Sequence, residues 1–178
     1  VSRQDRQIAF WIQDQIEGAY QTLSNQIAMG ADATSFMVDA NRLAITSVSS
    51  VTEAVNTLSS VINAYYMNTS DADKISAMLF KTVELGRLRL NDMSNSMGTV
   101  AVMAQQLNMT FAELDASIVT LTRLGIKPNV VMTNLRNLLS KLLSPTEEMS
   151  KFLDTLGVAS GEAALAAYGF GGVLQKLQ

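Results

Sequence analysis

An all-α fold of about eight short-to-medium helices, packed as hairpins or a bundle with a longer N-terminal helix, is what the sequence predicts. Three observations carry that prediction. Apolar residues recur every three or four positions along most of the 178 residues, the period of a helix buried on one face. Helix start and stop signals stand between those segments. Strand-favouring runs with strict alternation are absent.

Residues 4–29 read as one long helix. Ile8, Ile12, Ile16, Ala19, Leu23 and Ile27 share a stripe, Trp11 and Tyr20 flank it, and Gly30 is the expected stop. The other face is rich in Gln, Asp and Asn, so it is expected to be solvated or to meet a polar partner. Residues 33–44 form a shorter helix with Phe36, Met37, Ala40 and Leu43 apolar. Val48, Val51, Val55, Leu58, Ile62 and Tyr65 then follow a heptad seam. It covers fewer than three heptads, short for an autonomous coiled coil. Packing within a helical hairpin is the favoured reading, and pairing with another chain is the alternative. Ser50 and Glu53 have the spacing of a capping box.

Residues 68–73 make a turn into a helix start that is acidic where the helix dipole favours negative charge. Ile75, Leu79, Val83 and Leu90 carry the next helix, interrupted at Gly86, and residues 91–96 read as a polar joint. Met97, Val100, Ala101, Ala104 and Leu107 give another apolar face, closed by Asn108, a residue that tolerates the left-handed conformation.

Residues 107–158 are the most plainly punctuated. Thr110 and Glu113 form a capping box, Leu114, Ile118 and Leu121 repeat at helical spacing, and Leu124-Gly125-Ile126 is a glycine stop. Pro128 restarts the chain as a first-turn residue, followed by Val131, Leu135, Leu138 and Leu142, with Leu139 and Leu143 widening the face. Ser144-Pro145-Thr146-Glu147 reads as another capping box with proline at its first position, and Leu156-Gly157-Val158 as another glycine stop. Cap, helix and Leu-Gly stop thus occur twice, too weak a repetition to predict a solenoid. Beyond it the chain turns alanine-rich, then Gly169, Gly171 and Gly172 are expected to break any helix. The apolar stretch 163–174 is too short to span a bilayer. The chain divides into an N-terminal helical segment 1–68, a compact helical region 69–158 and an Ala/Gly-rich tail 159–178. A first residue Val1 and a last segment that stops in a helical pattern are read as marks of a piece of a longer protein.

Composition narrows the function. Hydrophobic residues make up 48% and charged ones 16%, with a net charge of −3, so the chain is globular and lacks the positive face that nucleic-acid binding needs. With no Cys and no His there are no thiolates, no disulfides, none of the commonest zinc sites and no histidine acid–base catalysis. Asp71, Asp73, Glu113, Glu147 and Glu148 sit where helix starts favour acids, while Asp92 and Asp115 have no assigned role. Arg87 and Arg89 alternate with Leu88 and Leu90, read as a solvated helix face. The ten methionines are read as core gap-fillers, with Met78, Met93, Met97, Met103, Met109 and Met132 as an adaptable contact surface in the alternative reading. Gly169-Phe170-Gly171-Gly172 lacks the Lys-Ser/Thr and preceding strand of a phosphate-binding loop. No catalytic, cofactor-binding or metal-binding residue is expected, nor any cofactor.

Leu79-Phe80-Lys81-Thr82-Val83-Glu84-Leu85-Gly86, Asp92-Met93-Ser94-Asn95-Ser96-Met97-Gly98, Glu113-Leu114-Asp115-Ala116, Leu121-Thr122-Arg123-Leu124-Gly125-Ile126 and Leu135-Arg136 occur in that order. Together with the closing segment from Ser144-Pro145-Thr146 to Leu156-Gly157-Val158, they resemble the conserved helical region of phage tail tape measure proteins of the minor-tail type, found in long-tailed phages and prophages. The resemblance runs over about residues 44–158. Asn108 stands where that family usually has glycine, and Met132 precedes Thr133 where it often has glycine. The resemblance implies a non-enzymatic virion protein that sets tail length, lies in the tail tube lumen and leaves it when DNA is ejected, after assembly in the host cytoplasm. Its implied partners are tube and tip or baseplate proteins, tail assembly chaperones and the chain itself, with membrane contact only during ejection. Joints at Gly86, Gly125, Pro128, Pro145 and Gly157 favour a folded docking module over a stretched ruler. A bacterial helical adaptor or membrane-active protein is the competing reading.

Overall fold

The computed structural model describes residues 2–27 and 31–177. Among them are nine α-helices, one 3₁₀ turn and no strand: α1 (Arg3–Ser24), α2 (Ala31–Thr46), α3 (Val51–Ala64), the 3₁₀ turn Thr69–Asp71, α4 (Ala72–Gly86), α5 (Asn91–Gln106), α6 (Phe111–Arg123), α7 (Pro128–Leu143), α8 (Glu147–Thr155) and α9 (Gly161–Lys176). The all-α expectation holds, with a longer N-terminal helix.

The helices stack in two rows. In one, α1 packs on α3, α3 on α5, α5 on α7 and α7 on α9; in the other, α2 packs on α4 and α4 on α6. Between the rows runs one core. Phe36 and Leu43 of α2, Leu58 of α3, Leu79 of α4, Met93 and Met97 of α5, Leu114 and Ile118 of α6, and Met132, Leu135 and Leu139 of α7 are sealed from solvent there. The α3 seam lies inside this core through Val51, Val55, Leu58 and Ile62, so it packs within the chain. Met93, Met97, Met109 and Met132 are core residues, and Met78 and Met103 pack against them half-buried.

Helix starts follow the expected chemistry in most places. Ser50 with Glu53, and Thr110 with Glu113, form reciprocal capping boxes, as do Ser2 and Asp5. Pro128 is the first residue of α7. The start of α8 lies two residues later than expected. Thr146 is its cap and accepts from the Met149 amide, which leaves Ser144 and Pro145 in the link.

Helix ends account for the other corrections. α1 stops at Ser24 because Gln26 takes the left-handed conformation (φ 61°), while the expected stop at Gly30 lies outside the described residues. Val48 is likewise left-handed, with φ 52°, and projects into solvent between α2 and α3 instead of joining the seam. Arg87 (φ 52°) ends α4. Residues 91–96 are therefore no joint but the first turns of α5, which begins where Asp92 accepts the Arg89 amide at 2.8 Å. Arg87 and Arg89 are exposed, and Leu88 and Leu90 buried, along a link and not along a helix face. The glycine-rich end of α9 is kinked at Gly169 (φ 64°, ψ 168°), after which the chain turns helical again through Gly171 and Gly172.

Candidate interaction surface

The feature of α1 that composition alone hides is its orientation. At 100° per residue, Asp14, Gly18, Thr22 and Asn25 share one face, and Ile8, Ile12, Ile16, Ala19 and Leu23 share another on the order of 120° away. The polar face is the one that docks. Asp14 accepts from the Val51 amide at 3.0 Å, and Gln15 Nε2 donates to Asn41 Oδ1 at 2.6 Å. Asn25 Nδ2 donates to Asn56 Oδ1 at 3.1 Å and to Ser59 Oγ at 2.8 Å, while Asn63 Nδ2 donates to the Asn25 carbonyl at 2.9 Å. Gly18 and Thr22 are the buried residues of α1, and Gly18 lies so near Val51 that a Cβ would come within 2.5 Å of its Cγ1.

The apolar stripe is left outside. Ile16 is 64% exposed and Tyr20 69%, with Ile8, Ile12 and Leu23 about half exposed. Ile27, just beyond the helix, is the stripe member that reaches the core. Residues 2–13 are exposed on every side, so the first half of α1 projects beyond the rows. Beside it, Trp11, Gln15, Val38, Asn41, Arg42, Ile45 and Thr46 line an open cleft of about 510 Å³ between α1 and α2. The sequence shows the stripe but not its direction. The signal that locates it is Gly18, a small residue within the polar face that lets two helices approach.

The acidic residues are occupied locally. Glu113 caps α6, Asp92 accepts the Arg89 amide ahead of α5, Asp71 and Glu147 pair with Lys74 and Lys151, and Asp73 accepts the Lys74 amide. Asp115 is enclosed between α4 and α6 with Thr82 as its hydrogen-bond partner, and burial raises its carboxyl to about 6. Among the described residues no group of three or more acids could hold a metal ion, and no helix is long and apolar enough to cross a membrane.

A family model described as phage-related minor tail protein matches residues 7–178, which takes in most of α1 and every later helix through α9. The tape measure protein of Pneumococcus phage Dp-1 is 27% identical to this chain over 121 residues. That alignment covers 68% of this chain and 10% of the phage protein, so the chain spans about a tenth of that relative's length. No solved structure matches.

Proposed function

The chain belongs to the phage-related minor tail protein family, and we propose that it is a folded docking and assembly module of a tape measure protein, distinct from the stretched ruler. One observation carries this reading: α2 to α9 all contribute residues to a single core between two rows. A ruler gains length from continuous helix at about 1.5 Å per residue. Among the described residues the longest helix has 22 residues, or about 33 Å, and each later helix has 16 residues or fewer and adds side chains to the one core. The module acts in the tail tube lumen of the virion and is assembled in the host cytoplasm. It engages tube and tip or baseplate components and tail assembly chaperones, and leaves with the DNA. The reading is that of a structural component and assigns the chain no reaction.

Tail length measured by electron microscopy, in a phage whose gene lacks these 178 codons, tests the proposal. Tails that fail to assemble, or that keep their length but do not infect, are the expected result. Shortening by about 270 Å, the length of 178 residues as continuous helix, would overturn it in favour of a ruler.

A further inference from the structure

We propose that α9 is a hinged strap, exchanging between the kinked helix that closes the core and a straight helix that releases residues 170–177, with Gly169 as the pivot. The register of its apolar residues motivates this. At about 100° per residue, a straight helix would set Phe170, Val173 and Leu174 about half a turn away from Gly161, Ala164 and Leu165. In the structure both sets face inward: Gly161, Ala164, Leu165, Phe170 and Val173 are buried, and Leu174 packs against the core. The kink is what rotates the second set to the inside. A straight α9 would keep its first half seated and turn that second set away, changing the direction of the last helix without unfolding the rows.

The kinked state rests on a few contacts that straightening breaks. Gly169 (φ 64°, ψ 168°) occupies a region open essentially to glycine alone. A Cβ on Gly172 would come within 3.2 Å of Tyr168 Cβ, whereas residues four apart on a regular helix keep those atoms about 5–6 Å apart. Lys176 Nζ sits 4.8 Å from the centre of the Tyr168 ring, although eight residues of straight helix rise about 12 Å. The strap is loosely seated as well, over an open cleft of about 330 Å³ lined by Leu121 of α6 and by Phe170 and Leu174. Backbone bonding opposes these contacts. A break inside a helix leaves carbonyls before it and amides after it without intrahelical partners, and straightening restores them. Apolar burial thus favours the kink and backbone hydrogen bonds the straight helix, in amounts of comparable size. That balance is what a two-state hinge requires.

Double electron–electron resonance between spin labels at Arg123→Cys and Gln175→Cys tests this. The native chain has no cysteine, and both positions are exposed and outside the cleft lining. A dominant short distance and a minor longer one are expected. A Cβ on Gly169 meets no atom within 4 Å, so Gly169→Ala acts through the backbone alone, disfavouring the kink and favouring helix. In that variant the longer distance should become the main one. Lys176→Gln removes a contact that only the kinked state makes, and should raise the minor share about threefold. Hydrogen exchange in α3 to α7 should be unchanged in both variants. A short distance alone in all three proteins would overturn the proposal, as would a longer one whose share neither variant changes. Loss of protection throughout α3 to α7 in Gly169→Ala would make the kink a fixed part of the core and overturn it too. The strap stands or falls separately from the docking-module reading, whose test is tail length.

Discussion

The Asp14 carboxylate accepts a hydrogen bond from the Val51 amide at 3.0 Å, so a side chain 37 residues earlier satisfies the first free N–H of α3. One turn along α1, the bare Cα of Gly18 rests on the Val51 side chain. One residue of α3 thus receives both the hydrogen bond and the close approach that seat α1. Gly18→Ala puts a methyl 2.5 Å from Val51 Cγ1, and the stiff β-branched side chain cannot rotate away freely. Hydrogen exchange should show protection in residues 14–25 falling about tenfold, the equivalent of about 1.4 kcal/mol, with α3 to α7 unchanged. Equal loss of protection throughout the chain would contradict this picture of α1.

Asp115 gives the pH dependence a direction. Burial raises its carboxyl from 3.8 to about 6, the Thr82 hydrogen bond opposing part of that rise. The folded state therefore prefers the protonated acid. The stabilisation is complete below about pH 4 and is lost as pH rises through about 6. When protonated, Asp115 can donate to Thr82 Oγ1, freeing the Thr82 hydroxyl hydrogen for the Met78 carbonyl at 3.0 Å. Asp115→Asn keeps a donor without a charge. It should raise stability at pH 7 by on the order of 1 kcal/mol after solvent screening, and should remove this group's slope between pH 4 and 6. Urea titrations of both proteins at pH 4, 5, 6 and 7 measure it.

Val48 holds a left-handed conformation (φ 52°) with its side chain almost wholly in solvent. A β-branched residue is strained there and gains no burial in return. Val48→Gly should stabilise the chain by about 0.5–1 kcal/mol, relief of strain outweighing the added freedom of the unfolded chain. The urea midpoint should rise with no change in slope.

Two glycines of α9 should respond in opposite senses. A Cβ on Gly161 would lie 2.4 Å from the Leu142 carbonyl oxygen and 2.7 Å from Leu142 Cβ, so Gly161→Ala must part α9 from α7. A loss of about 2–3 kcal/mol is expected. Gly171 is helical, exposed and free of neighbours, so Gly171→Ala should gain about 0.5–1 kcal/mol. Thermal melting of the pair compares them directly.

Boundaries after residue 110 were legible because their stops are glycines: Gly125 (φ 88°) and Gly157 (φ 71°). Before it Gln26, Val48, Tyr66, Arg87 and Asn108 do the same work with side chains attached, and of these Asn108 alone is a residue type that announces it. A subtler mark was present. In these stops other than Gly125 the next residue donates back to a carbonyl five positions earlier, as Met67 does to Ile62 and Met109 to Ala104, both at 2.9 Å. That residue is usually apolar and turned inward: Ile27, Leu88 and Met109 are buried, and Met67, Ile126 and Val158 pack against the core. An apolar residue one step past a helix end was therefore the transferable signal, with glycine as its most visible companion. The orientation of α1 was not legible in this way. Its stripe is an ordinary core pattern, and which face docks was decided by Gly18 and by polar partners on α2 and α3 that lie 26 to 38 residues away.

The polar seat of α1 has a calorimetric consequence. Lifting this helix from α3 breaks amide, carboxylate and hydroxyl contacts but wets little hydrocarbon, so its release carries a small heat-capacity change, whereas melting the rows exposes apolar surface and carries a large one. The two processes then follow differently curved stability profiles. Cooling weakens the rows' hydrophobic hold but leaves the hydrogen-bonded seat nearly unaffected. Warming can loosen the helix first, as a separate low-enthalpy event ahead of the main transition.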